Sequence, residues 1–212
     1  MEQRYSLSQP DLFTLFEGDR TWRGADQEWY SDEWQRKAGC GPTAAAMVAF
    51  YLAETRSECL ALYPSRSQRR KDILSLMGEL WTHVTPGRMG VNTLSRFVRG
   101  FQSFLSEREV SIPLRTLDVP RFRIARPTAS QCAAFLRTAL AADSPVAWLN
   151  LHHGEVAELD SWHWVVITSM EQRSDGALLC TILDAGREFT VDFRLWFQTT
   201  RAGGGLVAPG RS

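Results

Sequence analysis

The 212-residue chain has no net charge, because 24 lysines and arginines are matched by 24 aspartates and glutamates. No overall field therefore draws it to nucleic acid or to an anionic membrane. Cysteine is sparse and scattered: Cys40, Cys59, Cys132 and Cys180 form no CxxC pair and no close cluster. That argues against a zinc ribbon and supplies no disulfide framework. No stretch approaches the roughly 18 apolar residues of a membrane span. The first residues run into polar and charged ones rather than the apolar core of a signal peptide. A cytoplasmic protein without membrane insertion is expected. Walker loops, Rossmann fingerprints and Gly-x-Ser-x-Gly elbows are all missing. His152, His153, Glu155 and Glu158 have no common metal-ligand spacing and read as a solvated loop, so no metal or cofactor is expected. Neither internal repeats nor a long linker divide the chain, and one domain over residues 1–212 is expected. Tryptophan, by contrast, is plentiful, and eight of them in this length imply heavy aromatic packing.

The stretch with most chemical content is Ala38-Gly39-Cys40-Gly41-Pro42-Thr43, which runs into the alanine-rich segment Ala44 to Leu52. A cysteine on a small-residue turn is followed at once by a helix, with Pro42 suited to its first turn. Glycines on both sides should leave the sulfur uncrowded and allow unusual backbone conformations. Ala44, Met47, Val48 and Tyr51 fall at i, i+3, i+4 and i+7 and predict one buried stripe. A thiol at a helix N-terminus meets free N–H groups and the positive end of the dipole, which favour the nucleophilic thiolate. A cysteine packed merely as a small apolar residue is the bland alternative.

Gly39-Cys40-Gly41-Pro42-Thr43-Ala44-Ala45-Ala46-Met47 resembles the nucleophile segment of papain-like cysteine peptidases. The likeness is to the bacteriocin-processing (double-glycine leader) peptidase type and its stand-alone relatives. Beyond this segment it is carried mainly by Asp184 and by His163 with its strand, Trp162-His163-Trp164-Val165-Val166-Ile167. It implies a Cys-His-Asp site, with Cys40, His163 and Asp184 catalytic, and a papain-like α+β fold. In that fold an N-terminal helical half, carrying the nucleophile helix, packs on a C-terminal antiparallel sheet. It also implies a glutamine side chain that holds the oxyanion together with the cysteine N–H. The family places that glutamine a few residues before the cysteine. Gln35 is nearer that spacing, whereas Gln27 stands in a Gln-x-Trp context. Both are oxyanion-hole candidates.

The helical half is expected over about 10–108, the strand-rich half over about 110–200, and a flexible tail over 201–212, with Gly203-Gly204-Gly205 as the signal of fraying. Residues 10–16 read as a short helix. Further helices are expected over 72–81, 93–105 and 128–140, the last capped by Thr128 or Ser130. Pro113 predicts an edge strand over 110–117. Other strands are expected over 145–151, 162–170, 177–184 and 188–193, with a closing helix over 194–200.

Strand alternation puts His163, Val165 and Ile167 on one face. A histidine opening an apolar strand is held by the sheet and presented at its end. Asp184 closes the following strand, just before Ala185-Gly186. There it could orient the imidazole, or serve only as a turn aspartate. A two-residue Asp175-Gly176 turn would set Asp184 opposite Ile167, roughly 13 Å along the strand from His163. The triad therefore requires a wider loop across 171–176, with Asp160 as the reserve partner. The expected activity is hydrolysis of a peptide or amide bond. Acyl transfer from a Cys40 thioester to an amine, on an acylated substrate, and a non-catalytic binding module are the alternatives.

Overall fold

The computed structural model describes residues 3–211. The chain begins with β1 (Gln3–Ser6), a 3-10 turn at Pro10–Phe13, and a small hairpin of β2 (Thr14–Glu17) and β3 (Arg20–Arg23). Helices α1 (Glu33–Ala38), α2 (Cys40–Thr55), α3 (Arg70–His83) and α4 (Leu94–Glu107) follow. The second part holds β4 (Leu114–Val119), α5 (Ala129–Ala141), β5 (Val146–Asn150), β6 (His163–Gln172), β7 (Leu178–Asp184), β8 (Arg187–Asp192), α6 (Phe193–Thr199) and β9 (Gly204–Pro209). The class is α+β, with helices against an antiparallel sheet.

Helix α2 is the centre of the core. Every residue from Cys40 to Ala53 is buried, so the single expected stripe is really a helix buried all round, as its near-continuous apolar sequence allows. Its alanines let neighbours approach closely, while Met47, Phe50 and Tyr51 fill the space between elements. Phe13 stacks on Tyr51 with ring centroids 5.3 Å apart, and the Tyr51 hydroxyl donates to Asp143 at 2.7 Å.

The seven-stranded sheet runs β4-β9-β5-β6-β7-β8, with β1 added beside β6. All pairings are antiparallel. Strand β6 is its spine. One edge pairs with β7, and the other with β5 over its first half and β1 over its second. Pro113 precedes β4, which is an edge strand as expected. Thr128 caps α5 in a reciprocal capping box with Gln131.

Three expectations need correction. The first part is not purely helical: β1 joins the main sheet, and residues 10–16 are a 3-10 turn leading into β2 rather than a helix. Nor is 201–212 a flexible tail. Within it, β9 lies inside the sheet between β4 and β5, buried along its whole length. The glycines that suggested fraying are there because backbone comes too close for a side chain. A Cβ on Gly204 would run into the Leu149 carbonyl, and its φ of +149° disfavours other residues. One on Gly205 would press on Leu94 and on the Leu117 carbonyl. The third correction, to the β6–β7 register, belongs to the site.

Arg56 ties this last strand to the helical layer. Its buried guanidinium donates to the carbonyls of Gly210 (2.7 Å), Ala142 (3.3 Å) and Asp143 (3.3 Å), and to the Ser144 hydroxyl. Removing the donor strands these acceptors away from water. Arg56→Ala is expected to cost about 3 kcal/mol, measured by urea unfolding. Loss below about 1 kcal/mol would mean that water replaces the guanidinium.

Candidate active site

Cys40 opens α2 as its first residue, behind Gly39 as N-cap. At that position a helix N–H has no intrahelical acceptor. The flanking glycines are explained by contact, not by unusual dihedrals, since Gly39 has φ −83° and ψ −2°. A Cβ there would strike the Tyr30 ring and the Gln35 carbonyl, and one on Gly41 would come within 2.8 Å of the Val91 side chain. Tyr30 and Val91 thus press on the turn from either side. Tyr30 is anchored by its hydroxyl donating to Met77 O at 2.9 Å. Val91 is held through its carbonyl, which accepts from the Trp164 indole at 2.5 Å. These supports were missed in the sequence. The glycine pair alone hinted at crowding.

His163 starts β6, paired with Asn150 of β5. The residue before it, Trp162, is held at φ +61°, a left-handed conformation that bulky residues avoid at a cost of about 1–2 kcal/mol. His163 Nε2 donates to Asp184 Oδ1 at 2.6 Å, which leaves Nδ1 for Cys40, on the wall of the same cavity. Burial opposes charge on the ring. The hydrogen bond to Asp184, with the nearness of Cys40 and of the Asp184 carboxylate, outweighs it and raises the imidazole from 6.5 to about 10.

Asp184 meets His163 by a register device. The β6–β7 loop is one residue wider than the two-residue turn, with Arg173 N donating to Ala177 O at 3.0 Å. Past it the strands pair Met170 with Cys180 and Ser169 with Thr181. Continued unbroken, that register would set Asp184 opposite Val166, facing away from His163. Thr168 is an extra residue, a β-bulge, beyond which Ile167 pairs with Ile182 and Val166 with Leu183. Asp184 then falls opposite Val165, on the face His163 shares. The pair closes along a diagonal, which side chains of this length can bridge. So the wider loop is present, but it supplies one residue of shift and the bulge another, and the diagonal spans the rest. Asp184 also flanks a tight turn, because Ala185 and Gly186 both have positive φ, as a two-residue hairpin of this type demands.

Gln27 reaches the same place from far upstream. The segment after β3 docks on the β7–β8 turn, with Arg23 N donating to Gly186 O at 2.8 Å and Gly186 N to Ala25 O at 3.3 Å. Asp26 then caps the short 3-10 helix Gln27–Trp29. Gln27 Nε2 donates one proton to Arg36 O at 2.7 Å, and an amide nitrogen has a second to give.

A cavity of about 160 Å³ joins Cys40, His163, Asp184 and Gln27. Gln35 is not among its lining residues and lies on half-buried α1, where its backbone N–H is capped by Asp32. Asp160 is on the cavity wall, but the imidazole nitrogen it could have claimed is held by Asp184. Asp26 and Glu28 also line the cavity, and none of the described lysines and arginines does. His152 and His153 stack on each other outside it. Among the described residues, no group of three or more His, Cys, Asp or Glu is placed to hold a metal ion, and no helix is long and apolar enough to cross a membrane.

In comparisons with known proteins, no family model and no curated sequence matches this chain.

Proposed function

We propose that the protein is a papain-like thiol hydrolase that cleaves a peptide or amide bond through a Cys40-His163-Asp184 triad. The observation that supports this most is the imidazole held at Nε2 by Asp184 (2.6 Å) on the wall of one cavity with the cysteine that starts a buried helix. In this reading the Cys40 thiolate attacks the substrate carbonyl, forming an S–C bond. The oxyanion is held by the Cys40 N–H and the second Nε2 proton of Gln27. His163 gives its Nδ1 proton to the leaving amine as the C–N bond breaks, leaving a thioester. Water then attacks, His163 takes its proton, and the C–S bond breaks as the acid departs, restoring the thiolate–imidazolium pair. Asp184 keeps the ring in the right tautomer throughout.

Intact-mass spectrometry with activated acyl esters and peptide pools tests this. A stoichiometric acyl adduct on Cys40, absent from Cys40→Ala and discharged by water, is expected. Discharge only on addition of an amine would make the protein an acyltransferase, and absence of any adduct would leave a binding module.

The carboxylates around the cavity set a field that favours cationic groups. A cationic methanethiosulfonate reagent should modify Cys40 on the order of tenfold faster than an anionic one of similar size. The bias should shrink in Asp26→Asn/Glu28→Gln/Asp160→Asn, where the helix cap at the first position survives because asparagine caps as well as aspartate. Equal rates for the two reagents in the unmodified chain would show that solvent screens these charges.

A further inference from the structure

The loop between β4 and α5 presents a surface that the proposed chemistry does not use. Residues 120–126 read Pro-Arg-Phe-Arg-Ile-Ala-Arg, and the two large apolar side chains face solvent, Phe122 at 73% and Ile124 at 99% exposure. This is not a loose strand of chain. The Arg126 guanidinium clamps its base, donating to the carbonyls of Pro120 (2.7 Å), Arg121 (3.1 Å), Phe197 (3.2 Å) and Thr200 (3.0 Å). Arg123 adds a bond to Gln198 O at 2.9 Å. A short 3-10 helix, Arg123–Ala125, is thereby held upright with its apolar tips outward. Arg121 and Arg123 flank those tips, and no carboxylate among the described residues forms an ion pair with either.

Leaving an isoleucine wholly in water while a clamp fixes its position suggests that something else covers it. A convex tip of two side chains is far smaller than the roughly 800 Å² each partner contributes to a stable protein interface. A bilayer can close around such a tip from all sides, and arginines beside it match anionic headgroups while their stems lie along apolar surface. We propose that Phe122 and Ile124 enter the boundary between headgroups and acyl chains of an anionic membrane, with Arg121 and Arg123 on the lipid phosphates. Attachment is peripheral and reversible. The zero net charge of the chain does not oppose it, because attraction acts within a Debye length of the tip.

Co-sedimentation with phosphatidylcholine vesicles, with and without phosphatidylglycerol, tests the proposal on the full chain. Binding to the anionic vesicles alone is expected, weakening as salt is added. In Phe122→Ser/Ile124→Ser it should fall about tenfold or more, and Arg121→Gln/Arg123→Gln should abolish the preference for phosphatidylglycerol. All four positions are exposed, and circular dichroism verifies that the variants fold, including the arginine pair, which gives up the Arg123 bond to Gln198 O. No binding at low salt overturns the proposal, as does equal binding to both vesicles or unchanged binding by the serine variant. A protein complex that needs the tip, without vesicle binding, would also overturn it and identify a docking knob instead.

Discussion

Iodoacetamide is expected to label Cys40 readily at about pH 6 in the wild-type chain and on the order of 10- to 100-fold more slowly in His163→Ala. An ordinary thiol titrates near 8.5 and is about 0.3% ionised at that pH, so ionisation alone offers a factor of up to about 300. Part of that is given back, because a stabilised thiolate is a weaker nucleophile. The pH profile is the sharper readout. The proposed ion pair predicts labelling nearly flat from about pH 6 to 8 in the wild type, a range over which the imidazole, raised to about 10, keeps its proton. In the variant it should rise about tenfold per unit, as for a free thiol. The other cysteines serve as internal silence, since Cys59, Cys132 and Cys180 are fully buried. Burial pushes all three thiols up, Cys132 to about 12. His163→Gln keeps a polar side chain and guards against loss of fold. A wild-type profile that climbs like an ordinary thiol would remove the resting ion pair and, with it, the main support for a thiol hydrolase.

What could be read in the sequence follows the range of the interactions. Cys40 at a helix start, His163 at the head of an apolar strand and the Thr128 cap are local patterns, decided within a few residues by propensity and alternation. That Asp184 turns toward His163 is not local. It depends on one unpaired residue at Thr168, and nothing in Val166-Ile167-Thr168-Ser169 marks a bulge, since every residue there suits a regular strand. Gln27 was indistinguishable from Gln35 for the same reason. Spacing from Cys40 favours Gln35, whereas the docking of Arg23 and Ala25 on the Gly186 turn brings Gln27 to the cavity. Contacts so remote along the chain leave no periodic trace. The most instructive misreading is 201–212, where three glycines signalled the end of order but in fact mark where backbones meet most closely.

That misreading carries the second large prediction. Were 201–212 a tail, a chain ending at Ala202 would fold and melt like the full one. With β9 inside the sheet, the truncation removes the only strand among the described residues that pairs with β4, and one of two neighbours of β5. Leu206, Val207 and Ala208 leave the core, worth about 5 kcal/mol together. The ladder bonds on both edges, at about 1 kcal/mol each, bring the loss to the order of 10 kcal/mol. That rivals the whole stability of a typical domain, about 5–15 kcal/mol. The Gly210 carbonyl goes as well, leaving Arg56 short of its nearest carbonyl acceptor. The truncated chain should therefore show no cooperative thermal transition by near-UV circular dichroism and should bind a dye for exposed apolar surface. Gly205→Val tests the same packing without shortening the chain, because its side chain would be forced between Leu94 and the Leu117 carbonyl. It should lower Tm by many degrees. A truncated chain that melts within a few degrees of the full one would show that β4 and β5 hold their places without β9. The sheet would then end at β5 rather than at β4.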